Sequence, residues 1–123
     1  MNQILNPKPK YDLEQRTFDF AKDIRLFLKS IPDSIVNRED SKQLIRSSGS
    51  VGANYIEANE SLSKKDFIFR MKISRKEAKE CIYWMKLLIE TNGMERHDKA
   101  VELLNEIEET RKIMSSIIKN TNV

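Results

Sequence analysis

Apolar residues recur along this chain at alternating spacings of three and four, which is the repeat of one face of an α-helix. Four segments with this repeat follow one another, separated by turn and capping residues. They predict helices over residues 12–31, 37–61, 64–91 and 95–119. Four long helices joined by short turns predict an all-α fold, an antiparallel up-down-up-down four-helix bundle that forms a single domain over residues 12–120.

The ends of the predicted helices carry recognisable local signals. Residues 1–11 contain two prolines and little periodicity, so we expect them to be an extended tail. Small polar residues that suit helix N-termini stand at three predicted starts: Asp12, then Ser34 or Asn37, then Ser63. Gly93 follows the third helix and suits its C-terminal end, because glycine readily adopts the left-handed conformation.

The second predicted helix contains two glycines in its interior, Gly49 and Gly52. Each interior glycine costs about 0.8–1 kcal/mol relative to alanine. Ser47, Ser48 and Ser50 are also weak helix formers. A helix that keeps so many small residues is expected to pack closely against another backbone.

The third predicted helix has more apolar surface than one core requires. Besides its main seam, a second set of apolar residues recurs on the opposite side: Phe69, Ile73, Tyr83 and Leu87. A bundle helix needs one apolar stripe, with polar residues over the rest. We therefore expect this second face to be covered by another copy of the chain. The alternative is that these residues are ordinary scattered surface hydrophobes.

Basic residues are concentrated on the same helix, although the formal net charge of the chain is only +3. Residues 64–90 hold eight basic and four acidic residues, whereas residues 95–112 hold four basic and six acidic ones. The predicted basic stripe consists of Lys65, Lys72, Arg75, Lys76, Lys79 and Lys86. Such a stripe is a candidate surface for nucleic-acid phosphates. Two alternatives remain, a solvated face and pairing with acidic residues of a neighbouring copy.

Five polar residues lie on or beside the apolar seams, where an isolated charge would be costly: Arg46, Asn54, Glu57, Arg70 and Glu77. They predict a hydrogen-bonded network between the second and third helices, in which Arg70 pairs with Glu57 or Glu77. We interpret this network as structural, because buried polar groups that satisfy one another can specify a fold.

The sequence offers no constellation that suits catalysis. A di-iron bundle needs Glu-x-x-His on two helices, but the only histidine is His97, and the two Glu-x-x-Glu pairs lack one. Cys81 lies on a predicted core seam with no histidine placed to activate it, so we expect a small apolar core residue. No glycine-rich phosphate loop is present. We therefore predict a non-enzymatic protein with no catalytic residues, metal, cofactor or small-molecule substrate.

Cysteine content and hydropathy indicate the compartment. A single cysteine cannot form an internal disulfide, which suits a reducing environment. The N-terminus lacks the apolar core of a signal peptide, and no run approaches about 18 apolar residues. These features predict a cytoplasmic protein without a membrane partner.

Two adjacent stretches carry a family resemblance. They read RSSGSVGANYIEANES at residues 46–61 and LSKKDFIFRMKISRKEAKECIYWMKLLIE at residues 62–90. The first contains Ser-x-Gly-Ala-Asn-x-x-Glu-Ala, carried by Ser50 to Ala58. This sequence resembles the four-helix bundle proteins of the 23S rRNA intervening-sequence family, and the resemblance extends to the first predicted helix.

The resemblance implies a bacterial bundle that assembles as a ring, commonly a homopentamer. A related branch, the accessory variability determinant of diversity-generating retroelements, is a basic pentamer that binds nucleic acid and works with a reverse transcriptase. We therefore expect a homo-oligomer, with five copies implied, that binds RNA or DNA through the basic stripe. The alternative is a protein-interaction scaffold with no nucleic-acid role.

Overall fold

A computed structural model describes residues 12–121 and folds them into four α-helices. The helices are α1 (Leu13–Leu28), α2 (Ile35–Asn59), α3 (Lys64–Thr91) and α4 (Asp98–Asn120). No strand occurs between residues 12 and 121, and the predicted all-α four-helix bundle is confirmed. The predicted tail, residues 1–11, lies outside the described residues. Within the described range, none of the four helices is long and apolar enough to cross a membrane.

Each helix packs against two others, in the order α1, α2, α3, α4 around the bundle. As a result α1 and α3 occupy diagonal corners. Neighbouring helices run antiparallel, as contacts between α2 and α3 illustrate. Ser47 meets Cys81, whereas Val51, one turn later on α2, meets Ser74, two turns earlier on α3. Helix α1 is antiparallel to α4 as well, because Arg16 pairs with Glu106 whereas Asp23, later on α1, pairs with Lys99, earlier on α4. The contacts of α1 with α2 show the same antiparallel order.

The core lies between the inward faces of all four helices. On α3 the fully buried residues follow the predicted seam: Met71, Ser74, Ala78, Cys81, Met85 and Leu88. Burial of each large apolar side chain contributes about 1.5–3 kcal/mol. The buried residues hold one face of α3 against the core. This orientation determines which residues lie on the outer face of the helix.

Two of the predicted N-caps are present as hydrogen bonds. The Ser34 Oγ atom accepts a bond from the Asn37 backbone N–H at 3.0 Å, so Ser34 is the cap of α2. The Ser63 Oγ atom accepts one from the Asp66 N–H at 3.0 Å and begins α3. Gly93, just after α3, has a φ of 64°, in the left-handed region that favours glycine.

Other helix ends differ from the predicted ones. The side chain of Asp12 makes no cap hydrogen bond to α1. This helix ends at Leu28, not at residue 31, because the chain tightens into three-residue turns before Pro32, which disfavours helix in the residue before it. Helix α4 begins at Asp98 and not at residue 95, since the Nδ1 atom of His97 accepts the Ala100 N–H at 3.2 Å and caps it.

The glycine-rich part of α2 packs closely against α1, as the small residues predict. A Cβ atom placed on Gly52 would lie 3.0 Å from Thr17 Oγ1 and 3.7 Å from the Thr17 backbone carbon. Real Cβ atoms rarely approach another atom so closely, so a side chain here would push the two helices apart. Gly52 thus sets the distance between α1 and α2.

Candidate nucleic-acid interface

Because the seam of α3 faces the core, the opposite side of the helix faces solvent and presents the predicted basic stripe. Five of its six members are exposed: Lys65, Lys72, Lys76, Lys79 and Lys86. Among residues 12–121, no carboxylate oxygen lies within 4.0 Å of any of these five ammonium nitrogens. Their charges are therefore available to an anion from solvent.

Arg75, the sixth member of the stripe, is half-buried against α4. Its Nη1 atom donates a hydrogen bond to the Ser115 Oγ atom at 3.3 Å. This bond leaves the positive charge of the guanidinium without an acidic partner in the described part of the chain. Arg75 thus contributes charge to the stripe and makes a polar contact between α3 and α4.

Three of the four acidic residues of α3 are engaged by arginines. Arg46 of α2 donates to Glu77 at 3.3 Å and also to Glu80. Asp66 pairs with Arg70 at 3.6 Å, one turn along the same helix. Pairing reduces the field that these carboxylates project, so they do little to neutralise the lysines of the stripe.

The predicted polar network is formed differently from the expectation. The structure brings Arg46 and Glu77 together across α2 and α3. Arg70, which was expected to pair with Glu57 or Glu77, pairs instead with Asp66. The reason is local, because residues four apart on a helix are surface neighbours and need no second helix to meet.

Asn54 and Glu57 do not join the two helices. The Nδ2 atom of Asn54 donates to the backbone oxygen of Ser50 at 2.8 Å, within α2 itself. Glu57 is exposed to solvent. Within the predicted network, the ion pairs between α2 and α3 are therefore made by Arg46, with Glu80 as a member that the sequence reasoning missed.

The second apolar face of α3 is exposed in the single chain. Phe69 is 58% exposed and Tyr83 is 59% exposed, while Ile73 and Leu87 are half-buried. These four residues form what we call the apolar strip. Lys76 lies three residues after Ile73 and seven before Tyr83, on the same side of the helix. The apolar strip and the basic stripe thus adjoin one another and share the turn around Lys76.

A separate face of the bundle, between α1 and α4, is acidic and contains a buried arginine. Arg16 is only 4% exposed, and its Nε and Nη2 atoms donate to the two carboxylate oxygens of Glu106 at 3.0 Å each. A further bond reaches Glu109 at 3.2 Å. The hydrogen bond and charge of Glu106 raise the pKa of Arg16 above its ordinary value, against the opposing effect of burial.

Sequence reasoning missed Arg16, although a signal was present. The residue lies three positions after Leu13 and four before Phe20, which places it on the inward side of α1. A charge on that side requires a partner. The acidic residues of α4 were the available candidates.

Cys81 is a fully buried core residue, as its place on the seam predicts. Its Sγ atom contacts the Ser47 Oγ atom at 3.3 Å. Burial raises the pKa of the Cys81 thiol to about 12. A thiol that stays protonated and out of reach of solvent is unsuited to nucleophilic attack.

We expect Cys81 to resist alkylation in the folded protein. At pH 8 a thiol with a pKa of about 12 is ionised in roughly one molecule in 10,000. Burial also keeps the reagent away, so iodoacetamide labelling followed by mass spectrometry should proceed only as fast as the chain opens. The same chain in urea provides the control and should be labelled rapidly. Labelling of the native chain at the rate of a free thiol would contradict this account.

The raised pKa also has a consequence for stability. Between the unfolded thiol pKa near 9.0 and the folded value of about 12, the unfolded chain releases a proton that the folded chain keeps. The contribution of Cys81 to the free energy of unfolding is therefore fully present below pH 9 and is lost as the pH rises toward 12.

Metal-ligating side chains are not gathered at any point of the described chain. Within residues 12–121, no group of three or more His, Cys, Asp or Glu side chains is placed to hold a metal ion. His97, the one histidine, caps α4 and contacts the ring of Phe27 edge-on, with 5.8 Å between the centroids. Its role in the fold is therefore structural.

Comparison with known proteins gives one family. A family model described as 23S rRNA-intervening sequence protein matches residues 10–116. Among solved structures, the chain is similar to a protein of unknown function from the S23 ribosomal protein family of Bacteroides thetaiotaomicron. The two share 34% sequence identity with a TM-score of 0.76, over 88% of this chain and 99% of the other. No protein of curated function matches the chain.

Proposed function

The chain belongs to the 23S rRNA-intervening sequence protein family, and we propose that it is a cytoplasmic, non-enzymatic homo-oligomer that binds nucleic-acid phosphates, in the first instance those of RNA. One observation carries the proposal: the exposed lysines of α3 have no acidic partner among the described residues. Three of the four carboxylates of α3 are engaged by Arg46 and Arg70 and do little to neutralise them.

Phosphate binding is the chemistry that suits this surface. Lysine and arginine side chains that approach a polyanion release its condensed counterions, and this release drives association. Lys65, Lys72, Lys79 and Lys86 recur every seven residues, which places them about 10.5 Å apart along the helix. A row of separate charges can contact a backbone that extends along it, without reading its bases.

The homo-oligomer in this proposal rests on the apolar strip of α3. Phe69 and Tyr83 expose more than half of their surface, and burial of large aromatic side chains dominates interface energetics. A second copy that covered this strip would place two basic stripes close together, so their potentials would add. We propose five copies because the sequence resembles proteins that commonly form pentamers.

A second candidate function follows from the acidic side of the bundle. The groove between α1 and α4 is lined by Asp19, Asp23, Asp98 and Glu102, together with the residues that bind Arg16. Since the basic stripe and this groove lie on different faces of one chain, the lysines of one copy could pair with the groove of the next. The protein would then be a scaffold whose lysines are unavailable to RNA.

A titration that follows the fluorescence anisotropy of a labelled RNA hairpin, at about 50 and 200 mM salt, separates the two candidates. The proposed function predicts binding at the lower salt and a steep loss of affinity at the higher one. The scaffold predicts no binding at either, together with salt-sensitive self-association in light scattering. Absence of RNA binding at the lower salt would overturn the proposed function.

A further inference from the structure

The C-terminal half of α4 lies beside the N-terminal half of α3, which brings further basic residues next to the stripe. Two side-chain contacts fix the register: Ser74 with Met114 at 3.5 Å and Arg75 with Ser115 at 3.3 Å. Because α3 and α4 run antiparallel, one turn forward on α4 corresponds to one turn backward on α3.

Two exposed lysines of α4 lie on the side that carries Ser115. Lys112 precedes Ser115 by three residues and Lys119 follows it by four, so all three share one face of the helix. The antiparallel register then places Lys112 opposite residue 78, next to Lys79, and Lys119 opposite residue 71, next to Lys72. Both α4 lysines are exposed, and neither has a carboxylate within 4.0 Å in the described part of the chain.

The acidic residues of α4 mostly point elsewhere. Glu106 and Glu109 contact Arg16 of α1, and Glu102 contacts Lys99. Glu108 is the one acidic residue of α4 that shares this face, one turn before Lys112, and it lies toward the Lys86 end of the groove. Apart from Glu108, the charge of α4 is thus divided by face, with the paired acids toward α1 and the exposed lysines toward α3.

We infer that Lys112 and Lys119 are phosphate-binding residues, so that the binding surface is a patch two helices wide and not a stripe on one helix. This inference rests on the proposed function. The two-helix patch comprises Lys72, Arg75, Lys79, Lys112 and Lys119. It extends about 10 Å across the groove, the usual distance between packed helices.

The chemistry of the patch favours the backbone of double-helical RNA. Residues 72–79 and the whole of α4 contain no aromatic side chain. Proteins that bind single strands rely on aromatic rings on which unpaired bases stack. Double-helical RNA instead offers phosphates and 2′-hydroxyls whose recognition depends on shape and charge. The neighbouring rings of Phe69 and Tyr83 are assigned by the proposed function to contact between copies, so the patch itself presents cations without rings and suits that ligand.

The test compares two double variants in a titration with a labelled RNA hairpin of about 16 base pairs. Lys112→Ala/Lys119→Ala removes the α4 part of the patch. Lys22→Ala/Lys29→Ala removes the same charge from exposed positions of α1 and the turn after it, on the diagonal side of the bundle. Circular dichroism and thermal unfolding confirm that each variant is folded. If the alanine variant unfolds, Lys112→Gln/Lys119→Gln replaces it.

We expect the α4 variant to bind roughly two-hundredfold more weakly than wild type at about 50 mM salt, with the slope of log affinity against log salt reduced by about 2. The α1 control should lose far less. If wild type binds and the two variants behave alike, the two-helix patch is overturned while the proposed function stands. If wild type fails to bind at all, both are overturned. Equal wild-type affinity for a single strand of the same length would overturn the assignment to double-helical RNA.

Discussion

Replacement of Lys72, Lys76 and Lys79 together by alanine is expected to lower the affinity for an RNA hairpin roughly three-thousandfold at about 50 mM salt. The estimate assumes that each lysine contacts one phosphate. Each contact adds about 0.9 to the slope of log affinity against log salt concentration. Between 1 M and 50 mM salt, this slope makes each contact worth about a fifteenfold increase in affinity. Arg75 is kept in this variant because its bond to Ser115 contributes to the packing of α3 against α4.

The matched control removes three lysines from other exposed positions: Lys22, Lys29 and Lys42. It changes the net charge by the same amount, so it reports on general attraction to a polyanion. Anisotropy titrations of both variants should show the large loss only for the α3 substitutions. Equal losses in the two variants would mean that the net charge of the protein, and not the stripe, determines binding.

Arg16→Met is expected to lower the free energy of unfolding by about 3 kcal/mol, the lower end of the range for a broken buried ion pair. Arg16 makes three hydrogen bonds to carboxylates of α4, and its removal leaves the bidentate partner Glu106 half-buried without a cation. Because Glu106 retains some contact with water, the loss should not reach the upper end of that range. Urea unfolding followed by circular dichroism measures it.

Arg38→Met provides the control for that measurement. Arg38 pairs with Asp33, and both side chains are exposed, so the substitution should cost less than about 1 kcal/mol. Adding Glu106→Leu to Arg16→Met should recover part of the lost stability, because apolar residues can replace a buried ion pair at little cost. A loss for Arg16→Met no larger than that of the control would show that the buried pair is not important for stability.

The features of the fold that the sequence predicted correctly depend on neighbouring residues. Ser63 caps α3 through a bond to the residue three positions later, and Gly93 follows the helix in the left-handed conformation. The inward seam of α3 follows from its apolar spacing alone. Each of these signals is complete within a few residues of the chain, so no knowledge of the tertiary structure is required to interpret it.

The features that the sequence did not predict depend on distant partners. Arg16 and Glu106 are 90 residues apart in the chain, and Arg46 is 31 and 34 residues from its two glutamates. Spacing along one helix shows that a charge must find a partner but not which one, and this is why the partner of Arg70 was assigned incorrectly. Asp66 lies one turn away from Arg70 on the same helix, so the pair forms at a lower cost in side-chain conformational entropy than a pair between two helices.

The charge of α4 illustrates the same limit for the candidate site. Counted along the chain, residues 95–112 have two more acidic than basic residues, and the helix was interpreted as acidic. In the bundle, three of its glutamates contact arginine or lysine side chains, while Lys112 and Lys119 remain exposed. The charge that a ligand meets is a property of a surface, and the surface exists only once the helices are packed.

We propose that α3 brings copies of the chain together along its apolar strip and binds RNA beside it. Sedimentation velocity of the protein at micromolar concentration, with a fluorescently labelled RNA hairpin in about 50 mM salt, tests both parts in one experiment. We predict that the protein sediments as a closed oligomer and that the label moves with it. Sedimentation of the protein as a single chain, with the label at the position of free RNA, would contradict the account.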